Sequence, residues 1–396
     1  MKKLGLSAVI VYLFLAGALP ARAQRPPDRD YLFYVLSESA DKISLVRFGP
    51  SGARVEREIG TGTMEPDIDG PHGVAVSPDK QNYYVSLGHG RPFGTVWKYA
   101  TRDDKVLGQV TLGLFPATMD VSPDGNFLYV VNFNLHGDLV PSSVSVVLLS
   151  EMLEIKRIPT CTMPHGSRFN VQGTRHYSAC MMDDLLVEID TGTLKVARHY
   201  LLTKGQERGG QGEVPRRDSE QAGHAAHADH SGHGLEPPTP GDVSCSPTWA
   251  QPSPDGSMVY VACNKSSEIV EVDAKTWKIT RRLAAGPGVY NLAVTRGAPN
   301  GERLVATNKR GPSISLFDLQ SGKELARIPT KRKVVHGVVV SPDNRYAFVS
   351  VEGIGSEPGS VEIIDLEAMK TVATVDVAPQ AAGIDFLRIE PVKQSK

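Results

Sequence analysis

Most of the signatures that announce a chemistry are missing from this chain. There is no Gly-x-Ser-x-Gly elbow, no phosphate-cradling glycine loop and no Cys-x-x-Cys-His haem site in its 396 residues. That removes the sequence marks of a nucleotide site and of attached haem, and leaves any catalysis to residues gathered by the fold. An excess of charge is missing too. Forty-three Lys and Arg stand against 44 Asp and Glu, a net charge of −1, so no basic field draws the chain to nucleic acid. The local run Lys331-Arg332-Lys333 reads as solvated rim. With 40% hydrophobic and 7% aromatic residues the composition is that of a large folded soluble protein and excludes disorder.

Long apolar runs are also scarce, and the one present lies at the start. Lys2-Lys3 precedes an apolar stretch from Leu4 to Leu19, and Ala21-Arg22-Ala23 offers a small-x-small cleavage site before Gln24. The stretch is shorter than the roughly 20 residues a spanning helix needs, and Pro20 interrupts it. Residues 1–23 therefore read as a secretory signal and 24–396 as the mature domain, periplasmic or secreted, with no membrane span after cleavage. No cysteine lies near the cleavage site, which argues against a lipid anchor.

What is present is a repeat. Val335-His336-Gly337-Val338-Val339-Val340 ends in the turn Ser341-Pro342-Asp343-Asn344, and three more strand-like runs follow: Tyr346 to Ser350, Gly359 to Asp365 and Thr371 to Val377. Such a four-stranded antiparallel meander cannot bury both of its faces alone and calls for neighbours. Its first strand recurs at His72, Ala117, His165, Thr248, Tyr290 and Ala382, mostly at spacings of about 45 residues, as in propeller blades. The chain opens with three strands that lack a first one, from Tyr31, Lys42 and Ala53, and ends on a first strand at Ala382 that lacks the other three. Together they make one blade closed by the two termini. The fold class is thus all-β, a seven-bladed propeller of four-stranded antiparallel blades, a single domain with one insertion, 206–241, between blades four and five.

The tokens Ser122-Pro123-Asp124-Gly125 with Tyr129-Val130-Val131-Asn132, and Ser253-Pro254-Asp255-Gly256 with Tyr260-Val261-Ala262-Cys263, resemble the bacterial YVTN-repeat, YncE-like β-propellers. The resemblance runs from about Asp30 to Ile389, departing at the insertion and at Asn170-Val171-Gln172-Gly173, where the turn proline is missing. It implies the fold and does not choose an activity: similar propellers bind partners or ligands, act as lactonases or hold metals in redox enzymes.

Aligning the copies on the turn serine puts His72, Ala117, His165, Thr248, Tyr290, His336 and Ala382 at one position, where each blade enters its innermost strand. Three histidines, in blades two, four and seven, would then converge on one mouth of the channel and offer a copper or zinc ion three imidazoles and open positions. The alternative is that these side chains point between blades and merely cap Pro-His-Gly turns. The insertion adds His224, His227, His230 and His233, a His-x-x-His ladder suited to loose metal sequestration on the same face. Cys161 and Cys180, like Cys245 and Cys263, fall before a first strand and at the end of a second strand, so disulfides 161–180 and 245–263 are expected among three connectivities. The competing reading keeps Cys161 and Cys180 reduced, with Met163, His165, Met181 and Met182, as a soft set for Cu(I).

For catalysis, His165, Arg168 and Glu352 could supply an acid, a cation and a base, although no spacing brings them together. Trp249 and Tyr290 could stack on a flat ligand. The function expected from sequence is an exported binding propeller with a metal ion or small ligand at the mouth, in service of a periplasmic protein partner. The alternatives are a lactonase-like hydrolase or metal-dependent oxidoreductase, and a protein-interaction scaffold with no small ligand.

Overall fold

The computed structural model describes residues 26–62, 68–89, 93–214, 243–299 and 301–392. The signal-like segment 1–23 and the four histidines of the insertion lie outside the described residues.

The chain forms seven antiparallel sheets. Blade 1 takes β1 (Arg29–Ser37), β2 (Lys42–Gly49) and β3 (Gly52–Gly60) from the start of the chain and β29 (Ala381–Pro391) from its end, in the order β29-β1-β2-β3. The first strands of the other six blades are β4 (Pro71–Val76), β8 (Pro116–Val121), β12 (Pro164–Phe169), β17 (Pro247–Pro252), β21 (Val289–Val294) and β25 (Val335–Val340). Each begins at the position the repeat marks. A 3-10 turn, Glu38–Ala40, is the one helical element among the described residues.

The apolar first and second strands pack between neighbouring sheets, so both their faces are buried and alternation is lost. Between blades 7 and 1, for example, Tyr31, Phe33, Tyr346, Phe348, Ile384 and Phe386 form one core, with Phe33 and Phe348 rings 4.3 Å apart. The outer strands alternate, as Val106–Thr111 does, because one side faces water. Removing the terminal edges is the work of blade 1, where Tyr31 pairs with Ile389 and Tyr34 with Asp385. Arg47, only 2% exposed, locks this closure: its Nη1 lies 2.9 Å from Asp30 Oδ2 and 3.0 Å from Glu390 Oε2, and its Nε 2.5 Å from Glu56 Oε2.

Two local rules explain the repeat tokens. In Ser122-Pro123-Asp124-Gly125 the serine hydroxyl donates to Asp124 Oδ1 and accepts from the Phe127 amide, and Gly125 sits at φ 76°. The glycine after the mouth position is a matter of close approach. A Cβ at Gly73 would stand 2.1 Å from the Ala117 carbonyl oxygen of the next blade, and one at Gly166 2.5 Å from that of Thr248.

Both expected disulfides are formed, Cys161–Cys180 and Cys245–Cys263. The Cu(I) reading of Cys161 and Cys180 is thereby corrected: with both sulfurs in a disulfide there is no thiolate to give a soft ion. The insertion read as a loop from 206 begins instead as a fifth strand of blade 4, β16 (Arg208–Gln211), paired with β15 (Lys195–Leu201) through Leu201↔Arg208 and Arg198↔Gln211. An open strand edge carries unpaired backbone groups, and even Arg-Gly-Gly-Gln is recruited to satisfy them.

Candidate functional site at the channel mouth

The four rings at the mouth position meet across the channel. His72 and His336 have centroids 5.7 Å apart, His336 and Tyr290 5.0 Å, Tyr290 and His165 5.2 Å, and His165 and His72 6.3 Å, a closed circuit drawn from blades 2, 7, 6 and 4. All four are buried. The carbonyls at this position are stapled to neighbouring blades by hydroxyls, Thr307 donating to His336 O and Thr248 to Tyr290 O. The backbone under the rings is therefore fixed before any side chain is considered.

A second ring of residues, each immediately after the second strand of its blade, completes the mouth: Glu38, Gly88, Phe133, Met181, Asn264, Lys309 and Glu352. Aligning the ends of the second strands, as was done for the starts of the first, would have found them; their mixed chemistry hides the register. Three carry charge. Lys309 Nζ lies 2.8 Å from Glu352 Oε1 and 4.4 Å from the Tyr290 ring centroid, and His336 Nε2 lies 3.9 Å from the same carboxylate oxygen. Burial pushes the Glu352 carboxyl above its ordinary range against the pull of Lys309. Burial works against the Lys309 ammonium as well, but Glu352, Tyr290 and Glu38 outweigh it and hold the lysine charged. Burial likewise raises the Tyr290 phenol.

Glu38 organises the other side. Its carboxylate reaches His72 Nδ1 at 3.2 Å, His89 Nε2 at 3.2 Å and Gln380 Nε2 at 3.2 Å. With Nδ1 turned to a carboxylate, His72 keeps Nε2 as its second nitrogen, and this buried atom has no hydrogen-bond partner. His89 and His136, which the repeat did not single out because they sit in loops, stack near Phe115 with their own centroids 5.1 Å apart.

His165 differs from His72. Its Nδ1 is 2.8 Å from Thr248 O and its Nε2 is 2.9 Å from the Tyr290 hydroxyl, so both ring nitrogens are engaged. Among the described residues no group of three or more His, Cys, Asp or Glu side chains is disposed to hold a metal ion. His72, His165 and His336 converge, with the His72 centroid 6.3 Å from that of His165 and 5.7 Å from that of His336.

Arg168 is not brought to Glu352. It stands three residues along β12 from His165, further down the channel, stacked 4.4 Å over Trp249, donating to the Met119 and Ser167 carbonyls and sharing its field with Asp120 and Asp385. Trp249 is thereby covered from one side. Two surface grooves, of about 520 and 410 Å³ beside Trp277 and Phe169, carry none of the mouth side chains.

No family model and no curated protein matches the chain. Solved structures match its fold. The Pseudomonas aeruginosa periplasmic gluconolactonase PpgL superposes with a TM-score of 0.63 at 16% identity over 91% of this chain and 99% of its own. Hydrazine synthase of Kuenenia stuttgartiensis gives 0.58 at 18% over 85% and 99%. The dihydro-haem d1 dehydrogenase NirN, in complex with DHE, gives 0.55 at 15% over 94% and 78%. At these identities the likeness is one of architecture, shared with proteins whose named activities differ.

Proposed function

We propose that the mouth takes up a small molecule and hydrolyses it, with lactonase-like chemistry. The observation that carries this reading is His72: one ring nitrogen lies against the Glu38 carboxylate, and the other is buried among the converging rings with no hydrogen-bond partner. A carboxylate-oriented imidazole of this kind is a general base. His72 Nε2 would take a proton from water as the water oxygen bonds to the acyl carbon. The Lys309 ammonium, held charged beside Glu352, would meet the oxygen that becomes negative. Collapse breaks the ring C–O bond, and the departing alkoxide takes the proton back from the imidazolium, giving a hydroxy acid. The fold shared with a gluconolactonase agrees with this reading and does not carry it.

Following base uptake in a pH-stat with a panel of five- and six-membered lactones tests it. Turnover by the wild-type chain that falls at least a hundredfold in His72→Gln is the expected result; no turnover of any lactone by the wild type overturns the reading.

A second reading is favoured by the same Glu38–His72 contact, because a carboxylate behind an imidazole also raises its basicity toward a metal. His72 and His336, with the segment that holds His224, His227, His230 and His233, would then bind copper or zinc loosely. Calorimetry on metal-stripped, untagged protein decides it: micromolar uptake lost on deleting 215–242 supports it, and no uptake removes it. The leader-like start, the two disulfides and the YVTN-like tokens fit an exported member of the YncE-like propellers, possessing a periplasmic partner or none.

A further inference from the structure

The mouth is two-sided. Its charged groups, Glu38, Lys309 and Glu352, come from blades 1, 6 and 7, which are neighbours on the ring. Across from them, blades 3 and 4 supply Phe115, Phe133, Met163 and Met181, all in one apolar cluster that also holds the Cys161–Cys180 disulfide. The apolar side meets the imidazoles: the Phe115 ring is 5.3 Å from His72 and the Phe133 ring 4.9 Å from His165. The apolar character continues outward on the loops of the same face, where Leu114, Leu139, Val140 and Met182 are 42%, 41%, 51% and 37% exposed. The loop that bears Leu139 and Val140 is built, not loose. Asn134 Nδ2 donates to the Asp138 carbonyl at 3.0 Å and the Gly137 amide to the Asn134 carbonyl at 3.2 Å.

A polyhydroxylated ring placed against His72 would turn some of its hydroxyls toward Phe115, Phe133 and Met181, which offer them no partner. A buried polar group left so is penalised, and specificity follows from that penalty. An aliphatic chain loses nothing there and buries its methylenes.

We infer that the ligand is an amphiphile: a lactone or similar small cyclic acyl compound whose polar ring meets His72 and Lys309 while an unbranched alkyl chain leaves over Phe133 and Met181 toward the Leu139–Met182 rim. This rests on the small-molecule reading of the mouth, but concerns which molecule binds and not whether it is cleaved.

The test uses the full chain and two homologous series, γ-alkyl-γ-butyrolactones with chains of none to eight carbons and the corresponding γ-lactams, which resist hydrolysis, with glucono-1,5-lactone as the polyhydroxylated control. Dissociation constants are measured by calorimetry. In both series Kd is expected to fall about fourfold for each added methylene, ~0.8 kcal/mol, until the chain passes the rim. The sugar lactone should bind more weakly than the butyl lactone. Phe133→Ser should flatten the dependence; because Phe133 is a core residue, Leu139→Ser with Met182→Ser, both exposed, provides the second variant and should flatten its long-chain end at unchanged melting temperature. Affinity independent of chain length, or tightest for the sugar lactone, overturns the inference, and the apolar rim is then left to a protein partner. Chain-length-dependent lactam binding without lactone turnover keeps the inference and removes the hydrolase reading; turnover without chain-length dependence does the reverse. Failure of every compound to bind overturns both.

Discussion

The hydroxyl of Tyr290 lies 2.9 Å from Nε2 of His165, a hydrogen bond that runs from blade 6 to blade 4 across the mouth of the channel. Blade 5, between them, contributes the Thr248 carbonyl to the other nitrogen of the same imidazole and the Thr248 hydroxyl to the Tyr290 carbonyl. One side chain thus ties three blades at their inner ends. It also withdraws His165 from service as a base or a ligand, whereas Nε2 of His72 is buried without a hydrogen-bond partner.

Tyr290→Phe should therefore act on stability and on chemistry in opposite ways. Loss of a buried hydrogen bond with His165 Nε2 left unsatisfied is expected to cost ~1–3 kcal/mol in urea unfolding with an unchanged slope. The same variant frees a second imidazole nitrogen at the mouth, so its zinc affinity by calorimetry should equal or exceed that of the wild type. A variant as stable as the parent would mean that the bond does not form in solution.

His176 is expected to weaken the fold as pH falls. It is wholly buried among Tyr129 and Phe169, neither ring nitrogen has a hydrogen-bond partner, and burial, helped by Arg168, moves its pKa from the ordinary 6.5 down to about 3. The unfolded chain binds a proton between those values that the folded chain refuses. The contribution is complete above 6.5 and is lost as pH falls toward 3, at ~1.4 kcal/mol per unit. His176→Phe should flatten the stability profile across that window and leave it unchanged above pH 7, as followed by chemical denaturation at stepped pH. Persistence of the full slope in the variant would shift the cause to other groups.

The blades were legible because their physics is periodic. Ser-Pro-Asp turns recur at Ser77, Ser122, Ser253 and Ser341, and a glycine is pressed against the next blade's carbonyl at Gly73, Gly166, Gly337 and Gly383, so the same packing leaves its mark on four blades each time. The histidine ring was legible for the same reason: His72, His165 and His336 share one backbone position with one direction. Glu38, Lys309 and Glu352 share a position too, but a charge there answers only to its partner on a neighbouring blade, and no local rule writes Lys309 beside Glu352. Arg168 was named with His165 and Glu352 although no spacing joined them, and three residues of extended strand, about 10 Å, carry it along β12 from His165. β16 was invisible because nothing in Arg208 to Gln211 favours a strand; the open edge of β15 does.

Closure of blade 1 should dominate thermal stability. A chain ending at Pro379 loses all of β29 and with it the Glu390 arm of the Arg47 network, exposing the Tyr31 and Phe33 faces. It is expected to lose cooperative unfolding altogether, which calorimetry would register as a missing transition. Arg47→Met is the milder probe. It leaves Asp30 without the Arg47 cation and Glu56 with Arg54, 3.6 Å away, and breaking a mostly buried ion network of this kind costs about 3–5 kcal/mol. A truncated chain melting at the parental temperature would mean that β1 to β3 close the ring unaided.

Lys309 and Glu352 provide the sharpest separation of architecture from chemistry. Lys309→Met removes the cation and leaves a buried carboxyl with no countercharge, expected to cost about 3–5 kcal/mol at pH 8. Glu352 already sits above the ordinary carboxyl range through burial, and without Lys309 it should rise further. A carboxyl whose folded pKa is raised makes the folded state hold the extra proton, so stability falls as pH climbs from the unfolded carboxyl value through the folded one. The deficit of the variant should accordingly shrink at pH 5 relative to pH 8 in urea unfolding. Adding Glu352→Gln, which removes the stranded charge, should restore most of the stability at pH 8 while lactone turnover stays lost, because the oxyanion partner is still absent. Equal deficits at both pH values would place the pair in water, and recovery of turnover in the double variant would take Lys309 out of the chemistry.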